Sequence, residues 1–367
     1  MEAIESRAAC DLPLASLSAG ASREPIRAID PLQYPGWDSL LATHGDSTFF
    51  HGSAWARVLH DTYGHRPFYF SRIVKGRLEG LLPVMEVSSP LTGRRGVSLP
   101  FTDFCVPLKG ADGQVAEFYE AAARKGEERN WRYLECRSNG SQWAGASPSL
   151  AFWGHAIDLR GTPEALFSRL EGAVRRGIRK AEAAHIQIEF ADGEPAMRMF
   201  FLLHSQTRKR HGLPPQPFRF FQNIVKHGLE RGCGFIVLAR LEQRPIAGAV
   251  FLHHGREAIY KFGASDLSFQ NLRPNNLIMW QAMKKYAEKG ITRLHLGRTS
   301  AGNEGLRRFK MGFGAQEEKI EYCKYDFRKQ GFVSELDKVE GWFNQIFRAL
   351  PVPLLKLAGR ALYPHLS

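Results

Sequence analysis

Residues 294–315 read LHLGRTSAGNEGLRRFKMGFGA, from Leu294 to Ala315. The stretch opens as the end of an alternating strand and turns through Gly297, Gly302 and Gly305. It then presents Arg298, Thr299, Ser300, Asn303, Arg307 and Lys310. Loops at strand ends hold site residues because a rigid sheet positions them. Glycines let backbone amides approach a ligand, and grouped cations hold a phosphate or stabilise an oxyanion. The pattern predicts a cationic, glycine-hinged turn facing a cleft, rather than a plain surface loop. Lys310, Arg298 and Thr299 are its candidate catalytic groups, with Arg307 and Ser300 as substrate contacts.

Working outward, the preceding sequence predicts strands at 235–242, 246–253 and 258–263, a helix at 274–289 and a strand at 292–296. A final strand is expected at 315–326. Upstream stand a strand at 152–159, one helix at 163–184 capped by Thr162, a strand at 186–190, and helices at 195–210 and 217–231. The first half has a similar order. A strand is expected at 26–29, helices at 34–43 and at 53–63 with Ser53 as N-cap, strands at 67–74 and 78–87, a loop at 88–96, a helix at 115–129 and a strand at 131–137. The order predicts an α/β (α+β) fold of two distant copies, each a mixed, mostly antiparallel sheet flanked by helices. The divisions expected are a flexible leader at 1–23, domains at 24–148 and 149–328, and an amphipathic helical tail at 329–367.

The chain has 367 residues and a formal net charge of +13, with pairs such as Arg94-Arg95, Arg175-Arg176 and Lys284-Lys285. Such a surface suits a polyanionic partner (a phosphorylated cofactor, a nucleotide-linked sugar, RNA or anionic lipid) or simply water. The five cysteines form no CxxC pair, which suits a reducing compartment. No signal peptide and no apolar run of about 20 residues is read, so the expected location is cytoplasmic. No HExxH spacing, Walker loop or Gly-x-Ser-x-Gly elbow appears, and no metal site is expected. In the tail, Trp342, Phe343, Ile346, Phe347 and Leu350 recur at helical spacing, followed by Leu354, Leu355 and Leu357 around Lys356 and Arg360. This reads either as a segment resting on the inner face of a membrane or as a helix packed on its own domain.

The opening stretch resembles the C-terminal motif of Fem-like proteins of the GNAT superfamily: Gly297-Arg298-Thr299-Ser300, Gly302, Gly305, Phe309-Lys310 and Gly314-Ala315. Arg175 through Ala181 is similar to that family's basic helix end, and Thr207 through Pro214 to its helix-to-loop segment. The first half matches more weakly, through Ser98-Leu99-Pro100-Phe101-Thr102-Asp103. The resemblance implies tandem GNAT-like domains with a cleft between them. It also implies attack of an amine or hydroxyl on an activated acyl group. The donor would be acyl-CoA (acetyl-CoA) or aminoacyl-tRNA, and the acceptor a phosphorylated or saccharide small molecule, either a cell-envelope saccharide or a peptidoglycan-type precursor. Lys310 would neutralise charge in the acceptor or transition state. Arg175, Arg179 and Arg208 are candidate anion contacts.

One departure stands out. The glycine-rich turn that grips pyrophosphate in acetyl-CoA-binding members is replaced by Gln270 through Asn276, without glycine. Arg273, Asn275 and Asn276 remain as candidate cofactor contacts at the helix start. Asp103, beside Cys105 in a proline-flanked loop, is a further substrate-contact candidate. Tyr260 is either a proton donor or a core residue. The rival reading is a GNAT scaffold without chemistry that binds RNA or anionic membrane.

Overall fold

Two three-stranded meanders, each followed by a helix and a returning strand, organise the chain. The computed structural model describes residues 24–110, 114–138, 143, 145–335 and 341–366. The expected leader at 1–23, and residues 139–142 and 144 of the turn-rich stretch 139–149 before the expected domain boundary, lie outside the described residues. The first half comprises β1 (Arg27–Ile29), α1 (Trp37–Leu41), α2 (Ser53–Tyr63), β2 (Arg66–Val74), β3 (Arg77–Ser89), β4 (Gly93–Val97), α3 (Ala116–Glu128) and β5 (Tyr133–Cys136). The second half begins with β6 (Leu150–Asp158), α4 (Pro163–Ser168), α5 (Gly172–Ala183), β7 (Gln187–Ala191), α6 (Glu194–Arg210) and α7 (Phe218–His227). It continues with β8 (Gly234–Leu241), β9 (Arg244–His254), β10 (Glu257–Ser265), α8 (Pro274–Glu288), β11 (Arg293–Ser300), α9 (Glu304–Met311) and β12 (Gln316–Asp326). A short β13 (Gly331–Phe332) and the tail helices α10 (Trp342–Ala349) and α11 (Val352–Leu362) follow.

The repeat expected from the order of elements is present. In the first half β2, β3 and β4 pair antiparallel, α3 crosses over, and β5 lies parallel to β4. In the second, β8, β9 and β10 do the same, α8 crosses over, and β11 lies parallel to β10. A parallel pair needs such a crossover, which is why a helix separates its strands in the sequence. The halves are sewn by β12: its residues 316–322 pair with β6, and its residues 323–326 pair with β5. One mixed sheet therefore runs through the molecule.

The cores are also shared. Trp37, Phe50 and Trp55 of the first half pack in one cluster with Phe200, Phe220 and Phe221 of the second. The rings of Trp55 and Phe220 lie 5.8 Å apart and edge-on. Each such side chain contributes about 1.5–3 kcal/mol by leaving water, so apolar burial holds α2 against α7.

Four local expectations are corrected. Residues 88–96, read as a loop, contain most of β4, because β3 and β5 supply hydrogen-bonding partners that Arg94-Arg95 does not advertise. Gly52, not Ser53, is the N-cap of α2; the Ser53 hydroxyl instead donates to Asp38. The helix capped by Thr162 breaks into α4 and α5, where Glu171 N–H turns to the carbonyl of Gly312 at 2.9 Å. The glycine-hinged turn of residues 297–310 is a strand and a helix: β11 extends through Ser300, and α9 begins after Asn303, whose Oδ1 caps Leu306 N–H. Among the described residues, no helix is long and apolar enough to cross a membrane.

Candidate functional site

The parallel pair β10–β11 holds over only three positions, Glu257↔Arg293, Ala258↔Leu294 and Ile259↔His295. Beyond them β10 is irregular between Tyr260 and Phe262, and β11 between His295 and Arg298. The two strands run on to Ser265 and Ser300 without pairing to each other. A wedge opens there in the sheet of the second half.

A loop of the first half reaches this wedge. After β4 the backbone adopts left-handed conformations at Leu99 (φ 57°) and Phe101 (φ 60°), which cost a non-glycine residue free energy and persist only where surroundings enforce them. The enforcement is visible. Thr102 Oγ1 donates to Leu99 O at 2.6 Å, and Arg137 Nη1 donates to Thr102 O at 3.1 Å. Lys261, from the irregular stretch of β10, donates to Phe101 O at 2.6 Å. Lys261 Nζ also lies 5.3–5.7 Å from the ring centres of Phe50, Trp55 and Phe262. Burial pulls its pKa down, and the charge of Asp103 opposes that.

The loop delivers Asp103 to the wedge. Its carboxylate lies 3.9 Å from Lys261 Nζ and 4.0 Å from Arg298 Nε. It faces Gly297, which has φ 71°; a Cβ built there would come within 2.6 Å of Asp103 Oδ2. Glycine is thus required twice over, for its backbone angle and for the approach. Tyr322 of β12 donates its hydroxyl to Asp103 O and receives Arg298 Nη1 at 2.9 Å. Arg298 stacks 4.2 Å above Phe152 and keeps its side chain 37% exposed, so one edge of the guanidinium stays open. Beneath Tyr322 lies the buried pair Arg137–Glu135 at 2.9 Å, with Lys324 3.7 Å from Glu135. Burial would raise the Glu135 pKa, but Arg137 and Lys324 hold it below the ordinary value.

Lys310 is placed differently from the sequence expectation. It is 3% exposed, and its ammonium donates backwards to Gly297 O at 2.9 Å and Arg298 O at 3.0 Å. Burial lowers its pKa to about 8, with Asp103 acting the other way. It secures the irregular stretch of β11.

Several other candidates are also engaged. Arg307 forms a two-pronged pair with Glu317 at 2.6 and 2.7 Å, and Glu317 receives His155 at 3.0 Å. Thr299 is buried, 3.5 Å from His155 Nδ1. Ser300 ends β11 opposite Phe152. Arg208 is spent on the tail, donating to Pro214 O and Tyr363 Oη. Tyr260 packs on Phe251, its hydroxyl over Gly263, and burial raises its pKa to about 12; it belongs to the core.

At the start of α8, Asn276 packs against Gly177 of α5, so that amide is turned to the neighbouring helix. Arg273 is exposed and Asn275 half-buried there, while Arg179 is exposed and Arg175 half-buried on α5. The cationic parts of two helices are therefore adjacent. The site thus unites Asp103 with Arg298, and adds Lys261, Tyr322, Arg137 and Glu135, which sequence reading did not select.

Comparison with known proteins gives the same outline. Residues 168–319 match the family described as an acetyltransferase (GNAT) domain. Nothing among curated proteins matches the sequence. The solved structure of FemX is similar over 77% of this chain and 94% of its own, with 13% identity and a TM-score of 0.61. L-PGS from Bacillus licheniformis is similar over 91% and 98%, with 12% identity and a TM-score of 0.54. The C-terminal domain of a putative lysylphosphatidylglycerol synthetase from Agrobacterium fabrum is similar over 76% and 89%, with 14% identity and a TM-score of 0.52. At these identities the likeness is one of fold.

Proposed function

We propose that the chain, whose residues 168–319 match an acetyltransferase (GNAT) domain and whose fold is similar to that of FemX, transfers an acyl group to an amine or hydroxyl. The acceptor class is a cell-envelope saccharide or peptidoglycan-type precursor, and the donor is acyl-CoA or aminoacyl-tRNA. The observation that supports this reading is Asp103 of one half, seated in the wedge of the other, within 4.0 Å of Arg298.

The nucleophile's nitrogen or oxygen attacks the acyl carbonyl, an oxyanion forms, and the CoA thiolate or the tRNA hydroxyl leaves. Asp103 accepts the nucleophile's proton, which then goes to the leaving group. The open edge of Arg298 meets the oxyanion or a substrate phosphate. Lys261 and Tyr322 hold the Asp103 loop, and Lys310 holds the strand carrying Arg298; these are positioning residues. Arg175 and Arg179, near Arg273, meet the anionic part of the donor.

The test is transfer from labelled acetyl-CoA and from aminoacyl-tRNA, measured against amino sugars and muropeptide precursors. Asp103→Asn is expected to lower kcat about 100- to 10,000-fold, with an unchanged melting temperature. Full activity in that variant would remove Asp103 from the chemistry. Salt-dependent binding of RNA or vesicles, with no transfer from either donor class, would favour the non-catalytic scaffold.

A further inference from the structure

A cavity of about 740 Å³ lies away from the wedge, between the end of α2, the helices α6 and α7, and the tail helix α11. Its floor is apolar, formed by Tyr63, Phe201 and Phe218, and its rim carries Arg219, Lys356 and Arg360. Among the described residues, no carboxylate lines it. Lys356 lies 4.9 Å over the ring of Phe201, so a cation sits at the mouth of the apolar space.

The tail that forms one wall is itself two-faced. Leu355 is fully buried, and Gly359 is pressed against Pro215 O, which docks α11 on the protein. Leu354 and Leu357, turned away from that contact, are 50% and 60% exposed, and Ile346 and Leu366 are 48% and 45% exposed. α11 therefore packs on the domain, as one of the two tail readings expects, and still shows apolar side chains to solvent beside Lys356 and Arg360.

We propose that this face docks on an anionic phospholipid bilayer, with one acyl chain entering the cavity and its phosphate held by Lys356, Arg360 and Arg219. A second copy of the chain would bring the same three cations against themselves; an anionic lipid complements them. An apolar chain fits the floor, and the exposed leucines enter the headgroup boundary as interfacial helices do. The cavity adjoins the catalytic loop through one aromatic contact, Tyr63 to Phe101 at 5.1 Å. The proposal concerns binding and stands apart from the transfer reaction.

The full chain is sedimented with vesicles of phosphatidylcholine alone and with one quarter phosphatidylglycerol. Binding is expected only to the anionic vesicles. The double variant Lys356→Glu/Arg360→Glu should weaken it about tenfold or more, and Lys356→Gln/Arg360→Gln should fall between. Circular dichroism and melting temperature check that both variants are folded. Separately, dodecyl phosphate should raise the melting temperature, whereas inorganic phosphate and dodecyl maltoside should not. Equal binding to both vesicle types, or binding unchanged in the double variant, would overturn the proposal. A dodecyl phosphate effect no larger than that of phosphate would overturn chain entry. A dimer seen by light scattering and lost in Leu354→Asp would show that a second copy covers this face, and would also overturn it.

Discussion

Both halves contain a parallel strand pair that parts early, yet the two partings end differently. In the first half β4 and β5 pair at Gly96↔Leu134 and Val97↔Glu135 and then separate. That gap is closed from within: Ser98 Oγ receives Arg137 N–H at 2.9 Å, and Cys105 N–H donates to Arg137 O at 2.7 Å. Arg137 and Glu135 fill the remainder as a buried ion pair. In the second half the gap between β10 and β11 receives a foreign loop, and the charges that meet there come from both halves. One repeat has become a support, and the other has kept an opening. A duplicated scaffold can divide labour this way, because a loop released by one copy supplies what the other lacks.

The comparison can be broken most severely at the closed gap. Arg137→Met leaves Glu135 buried beside fewer cations, removes the Arg137 donor from the carbonyl of Thr102, and leaves that of Leu99 with the Thr102 hydroxyl. A loss of about 3–5 kcal/mol is expected, read as a lower urea midpoint, and with it the order of the Asp103 loop. At the open gap, Gly297→Val places a branched side chain at φ 71° against Asp103. About 1–3 kcal/mol of strain is expected, together with a loss of transfer greater than the stability change explains.

Lys310→Met is expected to cost about 1–3 kcal/mol, because two backbone carbonyls lose their donor. It tests the structural role against the sequence expectation that Lys310 neutralises charge in the acceptor or transition state, which predicts lost turnover without lost stability. Its pH dependence has a definite sign. The folded pKa, about 8, lies below the ordinary lysine value of 10.5. Between those values the unfolded chain holds the proton and the folded chain does not. The stability of the wild type relative to Lys310→Met should therefore rise from about pH 8 to about pH 10.5. Urea midpoints at pH 7.5 and pH 10 measure this; a flat difference would mean that Lys310 is not desolvated. The smallest effect belongs to Arg307→Gln, which breaks a half-exposed pair with Glu317 and should change stability by about 0–1 kcal/mol.

Much of the architecture was legible because its cues are local. Alternation located the meanders, Thr162 and Pro163 marked a helix start, and the helix between strands announced each parallel pair. The candidate site was legible only in part. Arg298 and Asp103 were picked out by residue type and motif, but nothing in the sequence says that they meet, 195 positions apart. Lys261 stands between Tyr260 and Phe262 in a strand, and sequence alone does not reveal that its ammonium ends in an aromatic enclosure under Phe101. Arg307, Arg208 and Lys310 looked alike as free cations. Glu317, Tyr363 and two backbone carbonyls claim them only once the chain is folded.

The sequence by itself determined the periodicities, the capped helix starts and the recurrence of one pattern in two halves, since these follow from neighbours a few residues apart. Tertiary structure alone decided which charges are spent internally and which stay open to solvent. Burial and long-range pairing set the fate of a charge, and both depend on residues that meet only when β12 joins the two sheets.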